Sequence, residues 1–213
     1  MVSAAPVLHY FAAYGSCEVI RMALHYFHVP FTEVNYDFRQ WSAAKASGLF
    51  EFTEMPMMEI GEKRYVLSAA ILRYLCQLYA AYPTDVMEIA KVEAIREMHD
   101  EIYEAVMPFM YIGQVEAAKD WFRLHMSSYL PLIEAQLQAN PSGQGRYFLG
   151  SHVSIADFIM FEMGFNFFLR PQMMDLGLEF QFEAPRYFAF LREFPQTDVE
   201  FAEYMKLPKE LAF

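Results

Sequence analysis

The sequence predicts two domains of different class, an α/β domain over residues 1–82 and an all-helical domain over residues 83–213. Three observations carry this reading. The first part alternates short apolar stretches with amphipathic ones and contains a hairpin signal at Gly61-Glu62-Lys63. Tyr79-Ala-Ala-Tyr-Pro83 then breaks the pattern as a linker, because a helix does not run through the residue before a proline. Beyond it every long stretch has the period of a helix.

Val7 to Phe11 reads as a short apolar strand, and Tyr14-Gly15-Ser16 as the turn into a helix from about Cys17 to Phe27. On that helix Val19, Ile20, Ala23, Leu24 and Phe27 fall on one face, which leaves Glu18 and Arg21 to face water. Pro30 stops the helix, and Phe31 to Tyr36 alternates as a second strand. Asp37 to Thr53 is expected to be a loop with a short helix, on which Trp41 and Lys45, four apart, share a face. Met57, Met58 and Ile60 form a third strand, Tyr65 to Leu67 the return strand, and Ser68 caps the next helix. A βαβ unit followed by ββα, with a proline opening the third strand, is the order of a thioredoxin-like domain, although other small α/β folds share that order.

In the second part helices are expected over Asp85–Met107, Val115–Gln138, Ser154–Leu169 and Ala184–Phe194. Pro108, Asn140-Pro-Ser-Gly-Gln-Gly, Pro171 and Pro195 separate them. Ser154-Ile-Ala-Asp157 has the spacing of a capping box, with Val153 and Phe158 placed as a hydrophobic staple.

Bulk properties exclude several classes of function. Apolar residues make up 55% and aromatic ones 17%, so the chain can bury a real core. No apolar run reaches the roughly 18 residues of a membrane span, and Met-Val-Ser-Ala-Ala-Pro lacks the basic flank of a secretory signal. Cys17 and Cys76 do not make a disulfide framework, and no Cys/His spacing suggests a metal site. A reducing, cytoplasmic setting is the expectation. The net charge of −11 is uneven: residues 1–82 hold six Lys/Arg against seven Asp/Glu, and residues 83–213 hold ten against twenty. An acidic body argues against nucleic acid and anionic membranes as partners.

Candidate chemistry concentrates in the first part. X-Pro is the one bond whose cis form costs only about 0.5–1 kcal/mol, so Met55-Pro56 is placed to turn the Met55 backbone toward an extended ligand. Ser68 offers a hydroxyl and the free N–H groups of a first helical turn, which suit a carboxylate. An ordinary turn and an ordinary N-cap read the same way. Tyr10 is either a site phenol or a packed strand aromatic. Tyr14, Ser16 and Cys17 stand close by, and a thiol at a helix start has a lowered pKa when it is exposed.

From Phe52 onward, Met55-Pro56, the hairpin and Ser68-x-x-Ile-x-x-Tyr-Leu75 resemble the glutathione-binding half of the cytosolic glutathione S-transferases. The opening is similar too, with Tyr10, Phe11, Gly15, Glu18 and Arg21 in the pattern of the tyrosine-type classes, closest to sigma. Asp37-Phe-Arg-Gln-Trp-x-x-x-Lys resembles a sigma-type segment, and Tyr147-Phe-Leu-Gly-x-x-x-Ser-Ile-Ala-Asp-Phe resembles the family's folding signature.

The resemblance implies the glutathione transferase fold, no metal, a homodimer, and glutathione as co-substrate with a small hydrophobic electrophile. It implies a cis Met55-Pro56 bond. It implies that Tyr10 stabilises the glutathione thiolate, that Met55 pairs with the cysteinyl backbone and that Ser68 holds the γ-glutamyl carboxylate. Trp41 and Lys45 take the glycine end, and Glu101, or Asp100 beside it, reaches the ligand across the dimer. Met98 and Ile102, with Met107, Met110 and Tyr111, line the electrophile pocket, where methionine adapts to varied apolar shapes. The family's usual side chains are missing at Ser16, Glu54 and Leu67. Those departures motivate an alternative, a transferase-like structural or assembly protein with a weakened or lost site. Sigma-type relatives also isomerise, and the sequence does not separate that from conjugation.

Overall fold

The structure, a computed structural model, describes residues 4–207. Contacts gather the chain into two compact units, one running to Ala80 and rejoined from Asp198 onward, the other Ala81–Thr197. The sequence suggests a single boundary at 82/83; in the structure the last helix belongs with the sheet. No helix among the described residues is long and apolar enough to cross a membrane.

In the first unit, β1 (Val7–Phe11), α1 (Glu18–Tyr26), β2 (Thr32–Tyr36), α2 (Phe38–Ala46), β3 (Met57–Ile60), β4 (Lys63–Val66) and α3 (Ser68–Leu78) follow in order, and α9 (Val199–Lys206) closes the unit. The sheet runs β2-β1-β3-β4. β1 and β2 are parallel with Tyr10 beside Asn35, β1 and β3 antiparallel with His9 beside Met57, and β3 and β4 antiparallel with Met57 beside Val66. Phe50, Met57 and Val66 form a small core that also receives Tyr36, Trp41, Leu49 and Met55.

Between β1 and α1 the chain makes one 3₁₀ turn, Gly15–Cys17. Gly15 has φ +44°, and a Cβ there would lie 2.5 Å from the Tyr10 hydroxyl. Glycine is required for both reasons.

Glu18 and Arg21 do not face water. Glu18 is 0% and Arg21 2% exposed, joined at 3.3 Å, and Arg21 also grips Glu33 of β2 at 2.9 Å. Helical periodicity misassigns them because it sorts residues by polarity, whereas a buried guanidinium with its donors filled by two carboxylates is tolerated inside.

The second unit is built from α4 (Val86–Tyr111), α5 (Val115–Gln138), α6 (Ile155–Phe167), α7 (Met174–Phe180) and α8 (Pro185–Glu193). α4 continues through Pro108. The proline lies close to the helix C-terminus, where only the Glu104 carbonyl loses its helical donor, and Glu104 is exposed, so water can replace it. α7 and α9 lie outside the helices expected from the sequence; each is a short helix, too brief for periodicity to declare.

α6 is buried on nearly every side, as its continuous apolar sequence requires, and is the axis of this unit. Ser154 and Asp157 form the capping box: Asp157 accepts the Ser154 N–H and hydroxyl, both at 2.7 Å, and the Phe148 N–H at 2.8 Å. Glu134 of α5 supplies the missing cap of α8 by accepting the N–H groups of Arg186 and Tyr187, each at 3.0 Å.

Between α4 and α6 lies a buried polar pair, His99 Nε2 against Glu162 at 2.6 Å. Glu162 also accepts from Asn166, and His99 Nδ1 meets Asp100 at 3.0 Å, which in turn accepts from Arg96. Tyr103 stacks on the ring from its own helix.

Burial disfavours a charged imidazole, but Glu162 and Asp100 outweigh it and hold the pKa of His99 above its ordinary value. A raised folded-state pKa gives stability that is complete below about 6.5 and is lost as pH rises through the folded value. Urea midpoints should therefore fall between pH 6 and pH 9, and His99→Gln should flatten that slope. Separately, Gly15→Ala should cost about 1–3 kcal/mol from the positive φ and the forced displacement of Tyr10, read as a lower unfolding free energy.

Candidate functional site

Strand polarity gathers the candidate residues at one edge of the sheet. β1 ends there, β3, being antiparallel to it, begins there, and β4, antiparallel in turn, ends there. The turn after β1, the residues before β3 and the start of α3 after β4 therefore meet. Those segments carry Tyr10, Met55-Pro56 and Ser68.

Tyr10 sits near the end of β1, 5% exposed, with its hydroxyl 3.3 Å from Ser16 Oγ. Its oxygen lies over the Gly15 backbone at the opening of the turn that leads into α1. The guanidinium carbon of Arg21 is 5.9 Å from the ring centre, its charge already matched by Glu18 and Glu33.

Met55-Pro56 is cis. The Pro56 carbonyl accepts the Leu67 N–H at 3.1 Å, which ties the residues before β3 to the start of α3. Among the described residues the Met55 backbone makes no hydrogen bond, so both of its polar groups remain for an extended ligand.

Ser68 is not the cap of α3. It occupies the first helical position, and Leu67 is the cap, with φ +70° and no side-chain hydrogen bond. A leucine cannot accept from the first-turn N–H groups, and the positive φ is needed to swing the chain from β4 into the helix. The consequence is a helix N-terminus whose Ser68, Ala69 and Ala70 N–H groups have no acceptor among the described residues.

Trp41 and Lys45 share a face of α2 as expected, with Lys45 Nζ 5.7 Å from the Trp41 ring centre. Trp41 packs edge-on to Phe50 at 4.9 Å and Phe11 at 6.2 Å, which fixes α2 to the end of β1 and to the core beside Met55. Asp37 and Gln40 close a capping box that starts the helix.

Cys17 is fully buried, and burial pushes its thiol well above the ordinary value, so it packs rather than reacts. Tyr14 is buried too. Glu54 stands exposed beside Met55.

The remaining candidates lie in the second unit. Met107 and Met110 are buried near the end of α4, and Tyr111 is 62% exposed. Met98 and Ile102 sit earlier on the same helix, Ile102 fully buried. Glu101 is exposed beside Tyr129, whose phenol is pushed up by burial and by that carboxylate. Glu101 lines a groove of about 780 Å³ between α4 and α5 with Asp100, Met98, Tyr129 and Leu132. Among the described residues no cluster of His, Cys, Asp and Glu could hold a metal ion.

Two features escape a reading of the sequence: the buried Arg21 with its carboxylates, and the strained Leu67. The first has a signal in the Glu18/Arg21 spacing of three, which pairs the two on one helical face. The second has none, since nothing in Val66-Leu67-Ser68 asks for a positive φ.

Two family models match the chain: glutathione S-transferase, N-terminal domain, over residues 6–77, and glutathione S-transferase, C-terminal domain, over residues 96–205. A glutathione S-transferase A of Cavia porcellus is 32% identical over 165 residues, covering 76% of this chain and 74% of its own. A glutathione S-transferase alpha-3 of Rattus norvegicus is 34% identical over 159 residues, covering 71% and 69%. Among solved structures, the sigma class glutathione S-transferase of Fasciola hepatica superposes with TM-score 0.80 over 98% of both chains at 22% identity. The Nu-class enzyme of Haemonchus contortus gives 0.78 over 98% of both, also at 22%; these two likenesses concern the fold. A sheet of order β2-β1-β3-β4 that opens on a cis proline, the helical unit after it, and family models spanning both halves lead to one conclusion: the chain belongs to the glutathione S-transferase family.

Proposed function

We propose that this glutathione S-transferase is tyrosine-type, using Tyr10 to stabilise the glutathione thiolate for attack on a small hydrophobic electrophile. The observation that carries the reading is the meeting, at one sheet edge, of a phenol hydroxyl, the cis Met55-Pro56 segment and an uncapped helix N-terminus.

A free thiol has a pKa of about 8.5, so at neutral pH it is mostly protonated and weakly nucleophilic. A hydrogen bond from the Tyr10 hydroxyl favours the anion. The thiol proton goes to solvent. The sulfur lone pair then forms the new bond to carbon, while the leaving group departs with its electrons or an activated double bond takes up the charge and later a proton.

The Met55 backbone pairs with the cysteinyl unit as a strand would. Ser68 and the open first turn of α3 take the γ-glutamyl carboxylate, where the helix dipole contributes about 0.3–1 kcal/mol. Lys45 above Trp41 takes the glycine carboxylate. Met107, Met110 and Tyr111 near the end of α4 serve the electrophile in this reading, whereas Met98 faces the groove between α4 and α5 and Ile102 is fully buried. Closeness to the sigma class rests on the opening with Tyr10, Phe11, Gly15, Glu18 and Arg21 and on the α2 segment with Trp41 and Lys45; several relatives bear alpha-class names. A cytoplasmic setting and a homodimer belong to the same reading. The groove between α4 and α5, floored by Ile95, Ile133, Phe148 and Met160, supports that face for a second copy, with Glu101 directed to the partner's ligand.

With a generic aryl halide, native protein should turn over and Tyr10→Phe should lose about 100-fold in kcat, with the acid limb of its pH profile moved upward. Absence of native turnover, together with no glutathione binding at millimolar concentration by calorimetry, would favour the assembly role instead. Light scattering should give about twice the 24.9 kDa chain mass, and Leu132→Arg in the groove should release monomer. A native monomer would remove the dimer reading.

A further inference from the structure

The last helix, α9, is joined to the turn beneath Tyr10 by a continuous chain of polar contacts, all within the first unit. The Tyr204 hydroxyl donates to Glu18 Oε1 at 2.9 Å. Glu18 Oε2 accepts from Arg21 Nη1 at 3.3 Å, and that same nitrogen donates to the Ala13 carbonyl at 2.8 Å and reaches the Tyr14 carbonyl at 3.5 Å. Arg21 Nε and Nη2 are taken by Glu33 of β2, the latter at 2.9 Å. One planar guanidinium thereby fixes the strand, the helix and the two carbonyls that lead into Gly15 and Ser16, the residues the Tyr10 hydroxyl touches.

A guanidinium has a rigid fork of donors, so its plane is set by its acceptors. Rotation of the Glu18 carboxyl would rotate that plane and with it the turn. Glu18 is wholly buried, and the Tyr204 phenol holds the oxygen that Arg21 does not take. Tyr204 is itself seated, 6% exposed, with its ring stacked on His25 at 3.8 Å. α9 is fastened at its start by Asp198, which accepts the Phe201 N–H and faces His28 at 3.3 Å, and by Glu200 against His28 at 2.7 Å.

We propose that Tyr204 is a positioning residue for Tyr10, acting from the C-terminal helix through Glu18 and Arg21 on the Ala13–Ser16 turn. The inference rests on the reading of Tyr10 as the thiolate donor. Its physical core, that α9 orders the turn, is separable from that reading. In function, the site is completed only when α9 has docked on α1.

Tyr204→Phe keeps the ring, the stack on His25 and the shape of α9, and removes the hydrogen bond alone. Amide hydrogen exchange should become roughly 5-fold faster or more over residues 13–17, with the β3–β4 hairpin unchanged. Turnover should fall about 3- to 10-fold in kcat with KM for glutathione within about 2-fold, and the acid limb of the pH profile should move up. His28→Gln loosens the start of α9 without touching the relay and should leave exchange over 13–17 as native. If Tyr204→Phe lowers only the melting temperature, with exchange in the turn and the pH profile as native, the proposal is overturned. Should native protein not turn over at all, the conjugation reading fails while the exchange measurement still decides whether α9 orders the turn. Unchanged exchange in that case sinks this proposal as well.

Discussion

The constraint from which the rest follows is the polarity of the four strands. A parallel β1–β2 pair needs a crossover, which is α1, and an antiparallel β3 brings the chain back so that its first residues face the last ones of β1. Once β4 reverses again, three chain segments with unrelated sequences arrive at one edge. Had β3 run parallel to β1, Pro56 and Tyr10 would lie at opposite ends of the sheet and no common site would exist. Backbone hydrogen bonding therefore decides the meeting, and side chains decide what the meeting can do.

Around that edge the molecule leaves polar groups open where a ligand would use them, while most other helix starts are closed. α2, α4, α6 and α9 are capped by Asp37, Asp85, Ser154 with Asp157, and Asp198, and α8 borrows Glu134 from α5. α3 begins on a leucine in a left-handed conformation. α1, α5 and α7 also start without a side-chain cap, so what sets α3 apart is its place at the edge shared with Tyr10 and the cis Met55-Pro56 bond, where an open N-terminus suits an anion. A similar contrast separates the buried arginine from the buried histidine. Arg21 is tied to the turn after β1 beside Tyr10, whereas His99 and Glu162 hold α4 to α6 in the helical unit and serve its stability.

Much of the first unit is legible along the chain. Strand starts and the hairpin follow from apolar alternation and a glycine turn, Pro56 from its place ahead of β3, and the shared face of Trp41 and Lys45 from a spacing of four. The capping box at Ser154 and Asp157 is equally visible, because a cap is a local affair of four residues. The helix through Pro108 is not, since a proline that breaks a helix in isolation is tolerated where one exposed carbonyl is all that is lost.

What the sequence alone determined, then, is most features whose cause lies within about one turn or one hairpin: the order of the strands and long helices, the turn between β3 and β4, the shared face of Trp41 and Lys45, and which family's pattern the residues repeat. Only the tertiary structure decided that Glu18 and Arg21 turn inward, that Leu67 rather than Ser68 caps α3, and that the final helix returns to the sheet to hold Glu18 through Tyr204. The inward turn and the returning helix depend on partners far away in sequence. Glu33 lies 12 residues from Arg21 and Tyr204 lies 186 from Glu18. Polarity along a chain tells which groups need a partner, but whether water or another side chain provides it is settled by packing.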